Sequence, residues 1–208
     1  MAKLKFYSLW LCLICIIVFV LQNLISSFTE LFVLNELAYS QYWRFLTAIF
    51  LHGSIVHLFY NLFALALFGF ILEKLIGSNK FLLVFFFSGI IANIISINFY
   101  ASSLGASGAI MGILGCLAVI KPMMMVLAFG FPMPMFIASI LWVTGDILGA
   151  LGAFGNSGIG NIAHLSGIAV GFLVGLFLRE WRTAKKQLIN LPESYMRIWE
   201  NTNMRLIL

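Results

Sequence analysis

The sequence predicts an all-α membrane protein with six transmembrane helices. Of its 208 residues, 62% are hydrophobic and only 9% are charged, whereas soluble domains carry about 25% charged residues. A spanning helix needs roughly 20 mostly apolar residues, and the apolar runs are long enough for several such spans. Between residues 45 and 178 the only charged residues are Glu73, Lys74, Lys80, Lys121 and Asp146. The composition therefore leaves little room for a separate soluble domain.

The apolar runs and the breaks between them give the order of the spans. The predicted spans are residues 6–24, 54–72, 81–98, 107–120, 134–151 and 161–178. The first run could be a signal peptide, but it is long for one and lacks a clear small-residue cleavage site, so we interpret it as a retained helix. Residues 25–50 are expected to form a connection partly seated in the interface. The domain prediction is a membrane core over residues 1–180 and a cytoplasmic or interfacial tail over residues 181–208.

The distribution of Lys and Arg predicts the orientation. The net charge is +5, and with both termini in the cytoplasm only Arg44 falls in an outer loop. This asymmetry is typical of the positive-inside pattern. No basic face with interleaved aromatic residues is present, so no nucleic-acid partner is predicted. The partner implied by composition is the lipid bilayer, with a multi-pass location, in the cell membrane if the source is prokaryotic.

Four polar side chains fall at one predicted depth. His52, His57, Ser107 and His164 lie near the starts of the second, fourth and sixth spans, which the orientation puts in the outer half of the membrane. Ionisable groups inside a bilayer are costly and by default indicate a functional site. A serine with a histidine is the minimum set for nucleophilic hydrolysis, so the sequence predicts a serine protease that works within the membrane.

Small residues favour an approach of Ser107 to His164. Gly108 and Gly112 follow the serine at a spacing of four, and Gly167 and Gly171 follow the histidine in the same way. This spacing lets two helices pack backbone to backbone. We expect a dyad with Ser107 as nucleophile and His164 as general base. We expect Asp146 to bond a neighbouring backbone or hydroxyl group rather than to act as a third member.

The second span carries the candidate oxyanion donors. His57 and Asn61 are four residues apart and share a helix face, so both can offer N–H donors beside the backbone N–H of Ser107. The alternative is that they only satisfy each other. His52 is expected to have a supporting role, either anchoring the loop or holding water, and Glu73 is expected to cap a helix or tie loops.

No cofactor or metal is predicted. The histidines lack an adjacent set of Cys or Glu ligands with zinc spacing. Cys12 and Cys15 resemble a redox motif, but they lie in the middle of an apolar run. We interpret them as packing or lipid-facing residues without a disulfide.

Four stretches of the sequence together resemble the rhomboid family of intramembrane serine proteases. The resemblance covers residues 42–175 and rests on motifs that occur in the order of the family. They are Trp43-Arg44, His52-Gly53 through His57 and Asn61, Gly105-Ala106-Ser107-Gly108 with Gly112, and Ala163-His164-Leu165-Ser166-Gly167 with Gly171.

The resemblance implies a six-helix rhomboid-type bundle with Ser107 and His164 as catalytic residues and His57 and Asn61 as oxyanion partners. It implies a water-filled cavity open to the outer side, a fifth span with its loop acting as a gate, and single-span transmembrane proteins as substrates. Many bacterial members carry an aromatic residue where this chain has Met111. Methionine can fill that gap beside the histidine, although the ring would be held less tightly.

Two other functions remain as alternatives. The first is a non-catalytic rhomboid-like protein that binds membrane clients in the same groove. The second is a transporter, which would place polar groups at several depths, whereas here the inner halves of the second and fourth spans are almost wholly apolar.

Overall fold

The computed structural model describes residues 4–155 and 160–189, without the side chains of residues 181–189. The predicted tail beyond residue 189 and part of the predicted gate loop lie outside these residues. The described helices are α1 (Tyr7–Leu24), α2 (Phe28–Phe32), α3 (Arg44–Thr47), α4 (Ile55–Ile76), α5 (Ser78–Ser96), α6 (Ser107–Ile120), α7 (Met135–Ala150) and α8 (Asn161–Ile189). Two 3₁₀ turns, Glu36–Tyr39 and Ala48–Phe50, flank α3.

Helix length separates two groups of predicted spans. Within the described residues, α1, α4, α5 and residues Asn161–Glu180 of α8 are long and apolar enough to cross a membrane. Helices α6 and α7 are apolar but have only 14 and 16 residues. At about 1.5 Å per residue they rise roughly 21 and 24 Å, less than a hydrocarbon layer of about 30 Å. Four spans are thus of full length, while the count of six and the cytoplasmic termini stay predictions.

The predicted helical class is confirmed, and the structure adds two short antiparallel strand pairs. Strand β1 (Leu34–Asn35) pairs with β2 (Ser102–Ser103), and β3 (Met125–Ala128) pairs with β4 (Phe131–Pro134). The β3–β4 turn is made by Phe129 and Gly130, both with positive φ, as a two-residue hairpin requires. The two prolines of β4 hid this strand from sequence reading, because proline is confined to edge strands.

Helix α6 forms the centre of the molecule. Eleven of its 14 residues are buried, so it lies inside a ring of other helices. Its small residues explain how the neighbours come so close. A Cβ on Gly112 would overlap the side chain of Ser88 in α5, and one on Gly115 would overlap the carbonyl oxygen of Ile168 in α8.

One buried carboxylate joins α1, α4 and α5 at the end of the molecule opposite the serine. Glu73 is fully buried and accepts hydrogen bonds from the backbone N–H groups of Tyr7 and Ser8 at 3.0 and 2.9 Å. It also accepts from the hydroxyls of Ser8 and Ser78 at 3.0 and 2.7 Å. The first N–H groups of a helix have no partner within the helix, so Glu73 caps α1, as the sequence indicated.

The connection between α1 and α4 is fixed by a buried arginine. Arg44 is 2% exposed, and its Nη1 donates to the carbonyl oxygens of Glu30 and Val33 at 2.7 and 2.8 Å. Its Nε donates to Gln41 Oε1 at 2.7 Å. A guanidinium presents several donors in a rigid fork, so one side chain holds three points of the loop together.

Candidate active site

The serine stands at the first residue of the buried helix. Ser107 opens α6 and is partly exposed. The loop before it is anchored by the N–H of Gly105, which donates to the carbonyl oxygen of Ala48 at 2.9 Å. Among the described residues, Ser107 Oγ makes no hydrogen bond, so the bond expected between the two members of the dyad is not formed here. Catalytic hydrogen bonds are often formed only when substrate binds.

Helix α8 packs on α6 through glycines, as the spacing predicted. A Cβ on Gly167 would overlap the carbonyl oxygen of Gly108, and one on Gly171 would overlap that of Gly112. At the serine end, the carbonyl oxygen of Ala163 lies 3.5 Å from the Cβ position of Gly108. The residue after Ser107 therefore contacts the residue before His164. This contact brings the nucleophile and base candidates to the same end of the helix pair.

The bonding of His164 corrects one expectation. Its Nδ1 lies 2.9 Å from Asp146 Oδ1, and the two side chains are 18% and 10% exposed. The prediction that Asp146 bonds a backbone or hydroxyl group was wrong. The error has a physical reason: α7 and α8 pack antiparallel, so two residues that are 18 apart in the sequence meet. Sequence spacing carried no signal for this.

Two further interactions, which the sequence did not predict, hold the start of α8. The N–H of Ile162 donates to the Tyr100 hydroxyl at 3.0 Å, which gives the first turn of α8 a partner for one of its free donors. A Cβ on Gly149 would come within 2.6 Å of Asn161 Nδ2, so α7 and α8 touch closely beside the Asp146–His164 bond. Both interactions are three-dimensional contacts between distant residues, which a single sequence does not indicate.

The oxyanion candidates lie on α4, whose first turn is capped by Ser54. Ser54 Oγ accepts from the N–H of His57 at 3.1 Å. The His57 ring packs on the loop before the serine, because a Cβ on Gly105 would lie 2.9 Å from its Nε2. Asn61 is buried and donates from Nδ2 to the carbonyl oxygen of His57 at 2.9 Å, a bond within the helix rather than to the His57 ring.

His52 is a buried anchor, 2% exposed. Its N–H donates to Gln22 Oε1 at 2.9 Å, and its carbonyl oxygen accepts from Gln22 Nε2 at 3.3 Å. Its Nδ1 donates to the carbonyl oxygen of Phe50 at 3.2 Å, which leaves Nε2 without a partner among the described residues. Burial lowers the pKa of His52 to about 4, and the nearby His57 ring lowers it further, while the bond to Phe50 opposes the shift. His52 is therefore neutral at physiological pH.

A cavity of about 510 Å³ opens beside His52. Its walls combine apolar side chains with the amide and hydroxyl groups of Gln22, Asn23, Thr29 and Ser54. Such a polar space can hold water. Met111, the other supporting residue predicted from the sequence, is 7% exposed within the core, and its effect on the histidine stays a prediction.

The apolar helices and the polar side chains among them indicate the class of this protein. This is an integral, multi-pass membrane protein that keeps a serine, a carboxylate-bound histidine and a second histidine among its helices. The family follows from comparison with known proteins. The Rhomboid domain model matches residues 39–181, more than half of the chain, and the chain belongs to the rhomboid family.

Several curated relatives carry protease names. The chain is 36% identical over 143 residues to the putative rhomboid protease YdcA of Bacillus subtilis, covering 66% of this chain and 67% of that protein. It is 36% identical over 147 residues to the rhomboid protease GluP of the same organism, covering 68% of this chain but only 27% of GluP. Over 185 residues it is 28% identical to the rhomboid protease GlpG of Serratia proteamaculans, covering 84% of this chain and 63% of GlpG. The shared region is thus well under two thirds of GluP.

Proposed function

We propose that this protein is an intramembrane serine endopeptidase with Ser107 as nucleophile and His164 as general base. The observation that carries the proposal is the glycine-mediated contact of α6 with α8, which puts both residues at one end of the helix pair. Membership of a family whose curated relatives include named rhomboid proteases supports the same reaction.

The chemistry follows from the two side chains. Serine is a weak nucleophile until an adjacent base accepts its proton, and a neutral imidazole is the usual base near neutral pH. Nδ1 of His164 is occupied by Asp146, so Nε2 is the nitrogen available to Ser107. Attack of Ser107 Oγ on a peptide carbonyl gives a tetrahedral intermediate, and its C–N bond breaks as His164 returns the proton to the leaving amine. The acyl-enzyme that remains is hydrolysed by water, whose proton His164 accepts and then returns to Ser107 Oγ.

The developing oxyanion needs preset donors. The backbone N–H of Ser107 at the start of α6 is one, since the first N–H groups of a helix are free. The ring of His57 is a second, and its place against Gly105 supports this role. Asn61 Nδ2 has one hydrogen left after its bond to the carbonyl oxygen of His57. Loss of one such donor typically costs about 3 kcal/mol of transition-state stabilisation.

Helix length favours a transmembrane substrate. With a rise of roughly 21 Å, α6 is shorter than the hydrocarbon layer and is surrounded by other helices. A helix of this length cannot reach both membrane surfaces, and we infer that its first residue lies below one of them, where the end of a single transmembrane helix can reach it. The positive-inside pattern makes this the outer surface. The cavity beside His52 is a polar space that can hold water, and Met111 is buried on α6 one turn after the serine.

The test is cleavage of a single-span substrate in liposomes. Wild type, Ser107→Ala and His164→Ala are reconstituted with the same substrate, and the product ends are located by mass spectrometry. We expect cleavage near the outer end of the substrate helix by wild type, and none by either variant.

Ser103→Ala is the matched control, since Ser103 precedes the helix and pairs with Leu34 through its backbone. It should cut like wild type. Folded wild type that binds the substrate without cutting it would favour the client-binding function. Cleavage that survives Ser107→Ala would contradict the assignment of the nucleophile.

A further inference from the structure

The Asp146–His164 bond is a feature of the site that a serine–histidine dyad does not use. Oδ1 and Nδ1 are 2.9 Å apart. Within the described part of the chain this is the only side-chain hydrogen bond that either residue makes. A carboxylate that is 10% exposed is costly without a partner, and here its partner is the candidate base.

The bond lies in a contact that fixes both helices. Asp146 and Gly149 share one face of α7 at a spacing of three, and Asn161 and His164 share one face of α8 in the same way. Gly149 and Asn161 approach closely one turn further along the two helices and extend the contact between α7 and α8. The Tyr100 hydroxyl holds the first turn of α8 from the other side. The position of the imidazole is therefore set by its surroundings.

We propose that Asp146 is a positioning residue that holds His164 as the tautomer with hydrogen on Nδ1 and a lone pair on Nε2. An ionised carboxylate offers only acceptors, so the hydrogen of the bond belongs to Nδ1. The other nitrogen of a neutral imidazole is then the acceptor. The inference rests on the proposed function for its catalytic consequence, which is that Asp146 keeps Nε2 of His164 free to act as the base for Ser107.

The proton balance assigns no proton to Asp146. Ser107 Oγ bonds to the substrate carbonyl carbon, its proton passes to His164 Nε2, and the carbonyl π electrons move to oxygen. When the intermediate collapses, the C–N bond breaks and Nε2 returns the proton to the leaving nitrogen. Asp146 stays ionised throughout and stabilises the imidazolium between these steps.

The first arm of the test reads the tautomer directly. The chain has three histidines, so protein labelled with ¹⁵N at histidine gives few ring signals in NMR spectra. We expect a low-field Nδ1–H signal in wild type that His164→Ala removes and that Asp146→Asn abolishes or shifts. A wild-type His164 with its hydrogen on Nε2 would overturn the proposal, whether or not the protein cuts a substrate.

The second arm reads catalysis. Asn can offer an amide N–H that fixes the opposite tautomer, or a neutral oxygen that stabilises the imidazolium less well. We expect Asp146→Asn to lower kcat by about 10⁴-fold with KM little changed, the size of the effect when Asn replaces this carboxylate in a serine protease. Asp146→Glu should recover part of the rate because it restores the carboxylate.

Gly145→Ala is the neighbouring control, because a Cβ there meets nothing within 4 Å, and it should behave as wild type. Wild-type kcat in a folded Asp146→Asn variant would overturn the proposal. If wild type cuts nothing, the proposed function fails, while the NMR arm still decides the role of Asp146.

Discussion

Gly105 lies against the ring of His57. A Cβ at position 105 would come within 2.8 Å of His57 Cε1 and 2.9 Å of its Nε2. Gly105 also has φ +123, a conformation that other residues rarely adopt. Two separate constraints thus require glycine immediately before Ala106 and Ser107, and one of them is the position of the proposed oxyanion donor.

Gly105→Ala should therefore reduce activity by displacing His57. We expect kcat to fall by on the order of 100-fold, the size seen when one oxyanion donor is lost, with substrate binding weakened less. Gly53→Ala is the control, because a Cβ there makes only an ordinary contact at 3.7 Å with Leu104. Steady-state kinetics on both variants check this, and equal kcat values would contradict the placement of His57 in the oxyanion site.

Gly171→Ala should lower the stability of the folded protein. Its Cβ would overlap the carbonyl oxygen of Gly112, so α6 and α8 would have to separate. Overpacking of a tight core typically costs about 1–3 kcal/mol, and we expect the upper end because the obstacle is backbone. The thermal midpoint in detergent measures the change, with Gly145→Ala as the control in open space. An unchanged midpoint would show that the two helices are not packed in this way.

Glu73→Gln should destabilise the protein while leaving the active-site groups in place. Four donors converge on the two oxygens of the carboxylate. In glutamine an N–H₂ group replaces one of these oxygens, so some of the donors would face another donor. Hydrogen bonds to a charged group contribute about 1.5–3 kcal/mol each, so we expect a loss of about 3 kcal/mol in the free energy of unfolding. Glu36→Gln, at an exposed site, should have little effect. Equal free energies of unfolding for the two variants would contradict the role of Glu73 in stabilising the start of α1.

His52 should make stability fall as pH falls. Its pKa is lowered from 6.5 to about 4 in the folded protein, so between these values the unfolded chain binds more protons than the folded one. Stability from neutral His52 is present above about pH 6.5 and is lost towards pH 4, at up to about 1.4 kcal/mol per pH unit. Thermal midpoints of wild type and His52→Asn across this range check the prediction. The variant should show a shallower slope, and identical slopes would contradict it.

The sequence predicted the elements of this site better than their contacts. Apolar runs are long enough to locate helices, and glycines at a spacing of four predicted the α6–α8 packing that the structure confirms through Gly108 and Gly167. The Asp146–His164 and Tyr100–Ile162 bonds join residues 18 and 62 apart. No local period encodes such pairs, because they depend on how helices turn back on one another. The β3–β4 hairpin was missed because its prolines argue against a strand in isolation.

The central claim is that Ser107 is an activated nucleophile. It is tested most directly by labelling the reconstituted protein with a fluorophosphonate and locating the modified residue by mass spectrometry. We predict a single modified serine, Ser107, with labelling lost in His164→Ala and strongly slowed in Asp146→Asn. Labelling at another serine, or none in a folded wild-type protein, would contradict the account.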